Sequence, residues 1–128
     1  VSVLVLLVIS VGGVVGALAR YGLSELIPHG AGDWPWATWL TNVSGCLLIG
    51  VLMVLVTEVW PEQKYLRPFL GVGVLGGYTT FSTAMVDVRQ LVVAGRPALG
   101  LLYLGGTALA AVLATAAGWL GARAVVTR

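Results

Sequence analysis

Long apolar runs dominate this chain, and turn-forming or charged residues divide them into four segments. The first extends from Val1 to about Ile27 and ends at Pro28, with Gly30 and Gly32 in the loop that follows. The second begins near Trp36, just after Pro35, and continues to Val59, with Trp34, Trp36, Trp39 and Trp60 placed as aromatic belts at its two ends. After the charged turn Pro61-Glu62-Gln63-Lys64, the third runs from about Leu66 to Ala94, and the fourth from Pro97 to Val126. Pro97 suits a first helical turn, where its missing N–H costs nothing. At roughly 1.5 Å per residue, a hydrocarbon core about 30 Å thick takes about 20 apolar residues. Each run is long enough for one crossing, so the pattern predicts four transmembrane helices over about 1–27, 36–59, 66–94 and 97–126.

Composition agrees with a lipid solvent. The chain has 128 residues, 59% of them hydrophobic and 9% charged, and a mean hydropathy of +0.99, far from a soluble globular domain. It has room for a single transmembrane domain and short turns. The N-terminal run has no basic n-region and no small-residue cleavage site, so it is expected to be the first span rather than a removable signal peptide. Seven basic and five acidic residues leave a net charge of +2, spread near the ends of the apolar runs rather than in a patch, which argues against nucleic-acid binding. Lys64, Arg67, Arg123 and Arg128 fall on the side of the termini, and Arg20, Arg89 and Arg96 on the other. That near-tie specifies orientation weakly and is compatible with insertion in both directions.

Several residues lie where a simple span would not place them. Gly71, Gly73, Gly76 and Gly77, followed by Tyr78-Thr79-Thr80-Phe81-Ser82-Thr83, are poor material for an uninterrupted helix in mid-membrane. A break there would free carbonyls suited to a hard monovalent cation; the alternative is that the glycines only let helices pack closely. Asn42 sits deep in the second segment, where an unpaired amide is costly, and it shares a helical face with Thr38 and Gly45. An interhelical hydrogen bond and a pore-lining role both fit it. Tyr103 and Thr107, with Ala111 and Thr115 farther along, make a polar stripe on the fourth segment, unless the threonines bond back to their own helix. Gly12 and Gly16 form a G-x-x-x-G pair on the first. Arg20, several residues before the end of that span, suits either an anion-attracting entrance or a snorkelling contact with headgroups. His29, in a loop, is expected to be solvated. Cys46, the single cysteine, reads as a small buried hydrophobe. No His, Cys, Asp and Glu set has metal-ligand spacing and no nucleophile stands beside a base, so the sequence does not read as an enzyme.

Three stretches taken together resemble the fluoride channel family called Fluc or CrcB: Gly12-Gly13-Val14-Val15-Gly16-Ala17-Leu18-Ala19-Arg20-Tyr21, Thr41-Asn42-Val43-Ser44-Gly45, and Gly76-Gly77-Tyr78-Thr79-Thr80-Phe81-Ser82-Thr83. The resemblance covers all four spans in order. It implies an all-α membrane protein with a broken third helix, assembling as an antiparallel, dual-topology dimer in the bacterial inner membrane. It also implies two fluoride pathways and a structural sodium ion at the dimer centre. Gly76 and Thr79 match the family's carbonyl donors to sodium, Asn42 its pore-lining amide, and Phe81 the first of its two pore phenylalanines. Ser82 and Thr83 follow in the same motif and are assigned to the fluoride pathway with them. Tyr103 and Thr107 match the fourth-helix lining, and Arg20 the vestibule arginine. The resemblance departs at Ala84, where the family usually repeats the phenylalanine, and at Ala111, where it tends to carry a hydroxyl.

The expected function is therefore a passive, fluoride-selective channel subunit that lowers cytoplasmic fluoride. The absent ring leaves open a homodimer with a modified pathway, an obligatory partnership with a related subunit, and a non-conducting assembly subunit. A small four-helix exporter, the rival from another class, would need an ionisable carboxylate in mid-membrane; Glu25 and Glu58 lie near span ends, which leaves Asp87.

Overall fold

The computed structural model describes residues 2–30 and 32–127, and every described element is helical. Helix α1 (Val3–Leu26) starts at Ser2, whose hydroxyl accepts the Val5 N–H at 3.1 Å and so satisfies one of the donors that a helix start leaves free. Helix α2 (Trp36–Val59) is α-wound to Val54 and widens to a π-wound last turn over Leu55–Val59, closed by a bond from Trp60 N–H to Leu55 O of 2.7 Å. The third span (Arg67–Val93) is two helices. Its first half, α3 (67–78), is π-wound over Arg67–Leu75 and α-wound over Gly76–Tyr78; its second half is α4 (Ser82–Val93). Helix α5 (Pro97–Val126) completes the bundle. The four spans of the sequence reading are all present, with boundaries within a residue or two. The π-winding has no counterpart in the apolar pattern.

Neighbours in the sequence are not the closest neighbours in space. α1 packs along α3, α2 along α5, and α4 against α5. Glycines set the first two pairings. A methyl group at Gly12 would come 2.5 Å from Phe69 O, one at Gly16 would overlap the Val74 carbonyl, and one at Gly77 would overlap Gly13 O. Gly50 and Gly118 do the same between α2 and α5, against the carbonyls of Thr115 and Leu47. Backbones brought this close gain dispersion contact without the hydrophobic drive that lipid cannot supply. Both alternatives read for the Gly-rich stretch are thus realised in succession: Gly73 and Gly77 serve close packing on α1, and the helix breaks after them.

The turn between α4 and α5 uses Gly95 in the left-handed region, φ +83°. Arg96 N–H reaches back to Leu91 O at 2.8 Å and Gly95 N–H to Val92 O at 3.1 Å, the pattern that ends a helix on a glycine. Arg96 Nη1 then donates to Gly32 O at 2.8 Å, tying this turn to the loop before α2 on the same side of the bundle. Only a few large side chains are fully enclosed, among them Tyr103, Leu91 and Val54. Leucines and valines of α1 and α5 such as Leu7, Val14, Leu18, Leu109 and Val112 face outward, more than half exposed, as expected of a surface solvated by lipid or covered by another subunit.

Candidate functional site

The break in the third span organises the site. Thr79 leaves the helix with an extended backbone, φ −80° and ψ 154°. Its N–H and its hydroxyl both donate to Leu75 O, each at 2.9 Å, and close the first half. The next amide, Thr80 N–H, donates to Asn42 Oδ1 at 2.8 Å, and Asn42 Nδ2 returns a bond to Thr80 O at 2.8 Å. Thr80 Oγ1 then accepts the Thr83 N–H at 3.2 Å and starts α4. Irregular backbone in a membrane survives only where such partners exist, and Asn42, 8% exposed on α2, supplies a matching donor and acceptor in one side chain. Its position with Thr38 and Gly45 on one face of α2 is the one read from the sequence, and the structure buries Thr41 there as well.

The break leaves several carbonyls without a helical partner, those of Gly76 and Thr79 among them. The amide that would close a turn on Gly76 O belongs to Thr80 and goes to Asn42, and the one that would close on Thr79 O belongs to Thr83 and goes to Thr80 Oγ1. Gly76 is exposed and Thr79 half-buried, and both border the larger cavity.

Cavities lie on both sides of the break. A groove of about 460 Å³ is lined by Asn42, Gly76, Thr79, Thr80, Phe81, Ala84, Tyr103, Thr107 and Ala111, among others. A smaller cavity of about 290 Å³ is lined by Arg20, Tyr21, Ser24, Thr38, Thr41, Thr80 and Thr83, among others. Thr80 borders both, so the partition between them includes the residue whose backbone Asn42 holds. Arg20 Nε donates to Gly77 O at 3.2 Å, which holds the guanidinium at the mouth of the smaller cavity; among the described residues its other N–H groups meet no protein acceptor.

On α5, Thr107 Oγ1 is buried and has no protein partner among the described residues, although it borders the groove. Thr115 does not extend the stripe: its hydroxyl donates to Ala111 O at 2.9 Å, and it does not line the groove. Phe81 is 75% exposed and is among the residues lining the groove. Ala84 is buried with Leu91 and Tyr103, with Trp39 and Met85 packed on the same cluster. Ser82 is exposed on the first turn of α4 and lines neither cavity.

The family model described as CrcB-like protein, Camphor Resistance (CrcB), matches residues 7–119. The chain belongs to the CrcB family. Relatives of this CrcB chain include proteins called fluoride-specific ion channel FluC 2 from Nocardia farcinica and Streptomyces avermitilis and FluC 1 from Streptomyces coelicolor. The first is 52% identical over 93% of this chain and 85% of its own length. The second is 50% identical over 80% of this chain and 65% of its own length. The third is 51% identical over 92% and 75%.

Against the sequence reading of this CrcB chain, the structure brings Asn42, Phe81, Tyr103, Thr107, Gly76 and Thr79 to one groove and Arg20 and Thr83 to the adjoining cavity. His29 is exposed, as expected of a loop residue, and its Nε2 also lies 3.7 Å from Asp87 Oδ1. Two pairings were also absent from the sequence reading, Asn42 with Thr80 and Arg20 with Gly77, which join positions 38 and 57 residues apart. No local signal marks either.

Proposed function

We propose that this chain is one subunit of a passive, fluoride-selective channel of the bacterial inner membrane, which lets fluoride leave and lowers its cytoplasmic concentration. The observation that carries the reading is the meeting of two cavities at the Asn42–Thr80 pair, one fronted by a guanidinium and threonine hydroxyls and the other bordered by an unpartnered hydroxyl and an exposed phenyl ring. The name carried by the relatives supports fluoride as the ion. Fluoride is small and strongly hydrated, so a pathway must exchange water for N–H and O–H donors without trapping the ion. Arg20 attracts it, Thr41, Thr80 and Thr83 replace part of its shell, and the second N–H of Asn42 meets it at the partition. The electropositive edge of Phe81 then offers a weaker contact, and Tyr103 and Thr107 continue the line along α5. Ser82, at the exposed start of α4, belongs to the mouth of the assembled channel.

The assembled channel in this reading is an antiparallel dimer. The groove is flanked by exposed Gly76 and Phe81, and a second copy in the opposite orientation would close it, as the near-tie of Lys and Arg allows. The free carbonyls of Gly76 and Thr79 fit a structural sodium ion shared by the two copies. Such a cation supplies positive charge where carbonyl dipoles of like sign would otherwise repel. Ala84 favours a second version, in which a related subunit contributes the ring that this chain lacks.

Fluoride efflux from liposomes holding only the purified chain, followed with an ion-selective electrode, tests the proposal. Rapid efflux of fluoride but not chloride, abolished by Phe81→Ile, is the result expected of a self-sufficient channel. Efflux appearing only with a related subunit would select the heteromeric version. Silence of well-folded protein in both preparations would overturn the reading.

A further inference from the structure

Asp87 is a buried carboxylate, 5% exposed on α4, that the pathway just proposed leaves without a role. Three elements converge on it. Tyr103 on α5 donates its hydroxyl to Oδ2 at 3.3 Å, His29 in the loop between α1 and α2 stands 3.7 Å from Oδ1, and Thr38 on α2 lies beside it. Tyr103 is fully enclosed and its ring borders the larger groove, so the carboxylate lies directly behind the groove wall.

The remaining charged side chains at this end are Arg20, half-buried and donating to Gly77 O, and Glu25, Asp33, Arg89 and Arg96, all exposed. Asp33 Oδ2 accepts the Gly30 N–H at 3.3 Å, and Arg96 donates to Gly32 O. Arg89 follows Asp87 too closely on the same helix to face it. Among the described residues, His29 is the basic group within ion-pair distance of Asp87. Histidine is the side chain whose charge ordinarily changes between pH 5 and 8, and a charge in a region of low dielectric acts over a longer distance than one in water.

We propose that His29 and Asp87 form a proton-operated charge pair that sets how easily an anion reaches the Tyr103 end of the groove. With His29 neutral, the Asp87 carboxylate keeps only the hydroxyls of Tyr103 and Thr38 beside it, and its charge behind the wall opposes an approaching anion. With His29 protonated, the pair is close to neutral and the opposition falls. Anion flow therefore rises as pH falls through the histidine range. His29 touches neither the groove nor the ion; it is a positioning residue that works through Asp87. The inference rests on the reading of the groove as a fluoride path.

The test is fluoride current across planar bilayers containing the full chain, recorded between pH 5.5 and 8. Current is carried by the ion and is blind to neutral HF. The wild-type current is expected to be about threefold to tenfold larger at the acid end, the span over which histidine titrates. His29→Gln should flatten the profile at the level seen at pH 8, and Asp87→Asn should flatten it at or above the level seen at pH 5.5. A flat wild-type profile, or a slope that survives His29→Gln, overturns the pair. Should the chain alone carry no current at any pH, the self-sufficient channel reading fails separately, and the pair is tested by carbethoxylation. The chain has a single histidine, so its reaction with diethylpyrocarbonate is read directly by mass. The reaction should run several-fold faster in Asp87→Asn, and equal rates would overturn the pair.

Discussion

Asn42 has a structural and a conducting assignment, and substitutions at two residues separate them. Asn42→Leu removes both bonds to Thr80 and leaves a half-buried N–H and C=O unpaired, at up to about 1–3 kcal/mol for each group. That variant is expected to lose both fluoride efflux and resistance to denaturation in detergent. Thr107→Val is the contrast. Its hydroxyl makes no hydrogen bond among the described residues, although it lies beside the Tyr103 hydroxyl, so the nearly isosteric valine should cost little stability. If the hydroxyl is a donor to the passing ion, efflux should nevertheless fall about tenfold, the scale of one neutral hydrogen bond lost. A Thr107→Val channel that conducts like the wild type would remove this residue from the pathway.

At the scale of elements, the glycine contacts make a sharper statement than the G-x-x-x-G pattern alone. Gly13 and Gly16 lie on the same helix three residues apart, yet a methyl group at Gly13 meets open space while one at Gly16 overlaps the Val74 carbonyl and comes 2.7 Å from Tyr78 N. Gly16→Ala should cost about 1–3 kcal/mol by forcing α1 away from α3, and Gly13→Ala should cost nothing or stabilise slightly by favouring the helix. Chemical denaturation in detergent, monitored by tryptophan emission, distinguishes the two. The spans, their ends at Pro28, Pro35 and Pro97, and a discontinuity near Thr79 were legible in the sequence because each depends on local hydropathy or local backbone preference. The π-wound turns were not, because hydropathy averages over the one-residue difference between an α and a π turn. The pairing of Asn42 with Thr80, and of His29 with Asp87, depends on which helices lie side by side, and apolar periodicity in lipid carries little information about that. The motif resemblance nominated Asn42 for the ion path, whereas its bonds to the broken backbone emerged only from the fold.

For the whole molecule, the exposed glycine and phenyl ring beside the groove make assembly the central question. If sodium holds the carbonyls of Gly76 and Thr79 from two copies, replacing external and internal sodium by N-methylglucamine should slow fluoride efflux and weaken the dimer in cross-linking assays, with potassium a poor substitute. Unchanged efflux after exhaustive sodium removal would rule out that role. The pairing of helices has another consequence, for biosynthesis. The glycine contacts that bring two helix backbones together join spans that are not consecutive, α1 with the first half of the third span and α2 with α5. A ribosome delivering these spans in order produces the second before the first has its close-packed partner, and α2, although it can already bond Thr80 of the third span, meets the helix it packs along only when the last one has left the exit tunnel. The nascent chain must therefore hold its earlier spans in lipid unpacked, and a product truncated before α5 presents the unfilled Gly50 face to the membrane proteases that clear unfinished chains.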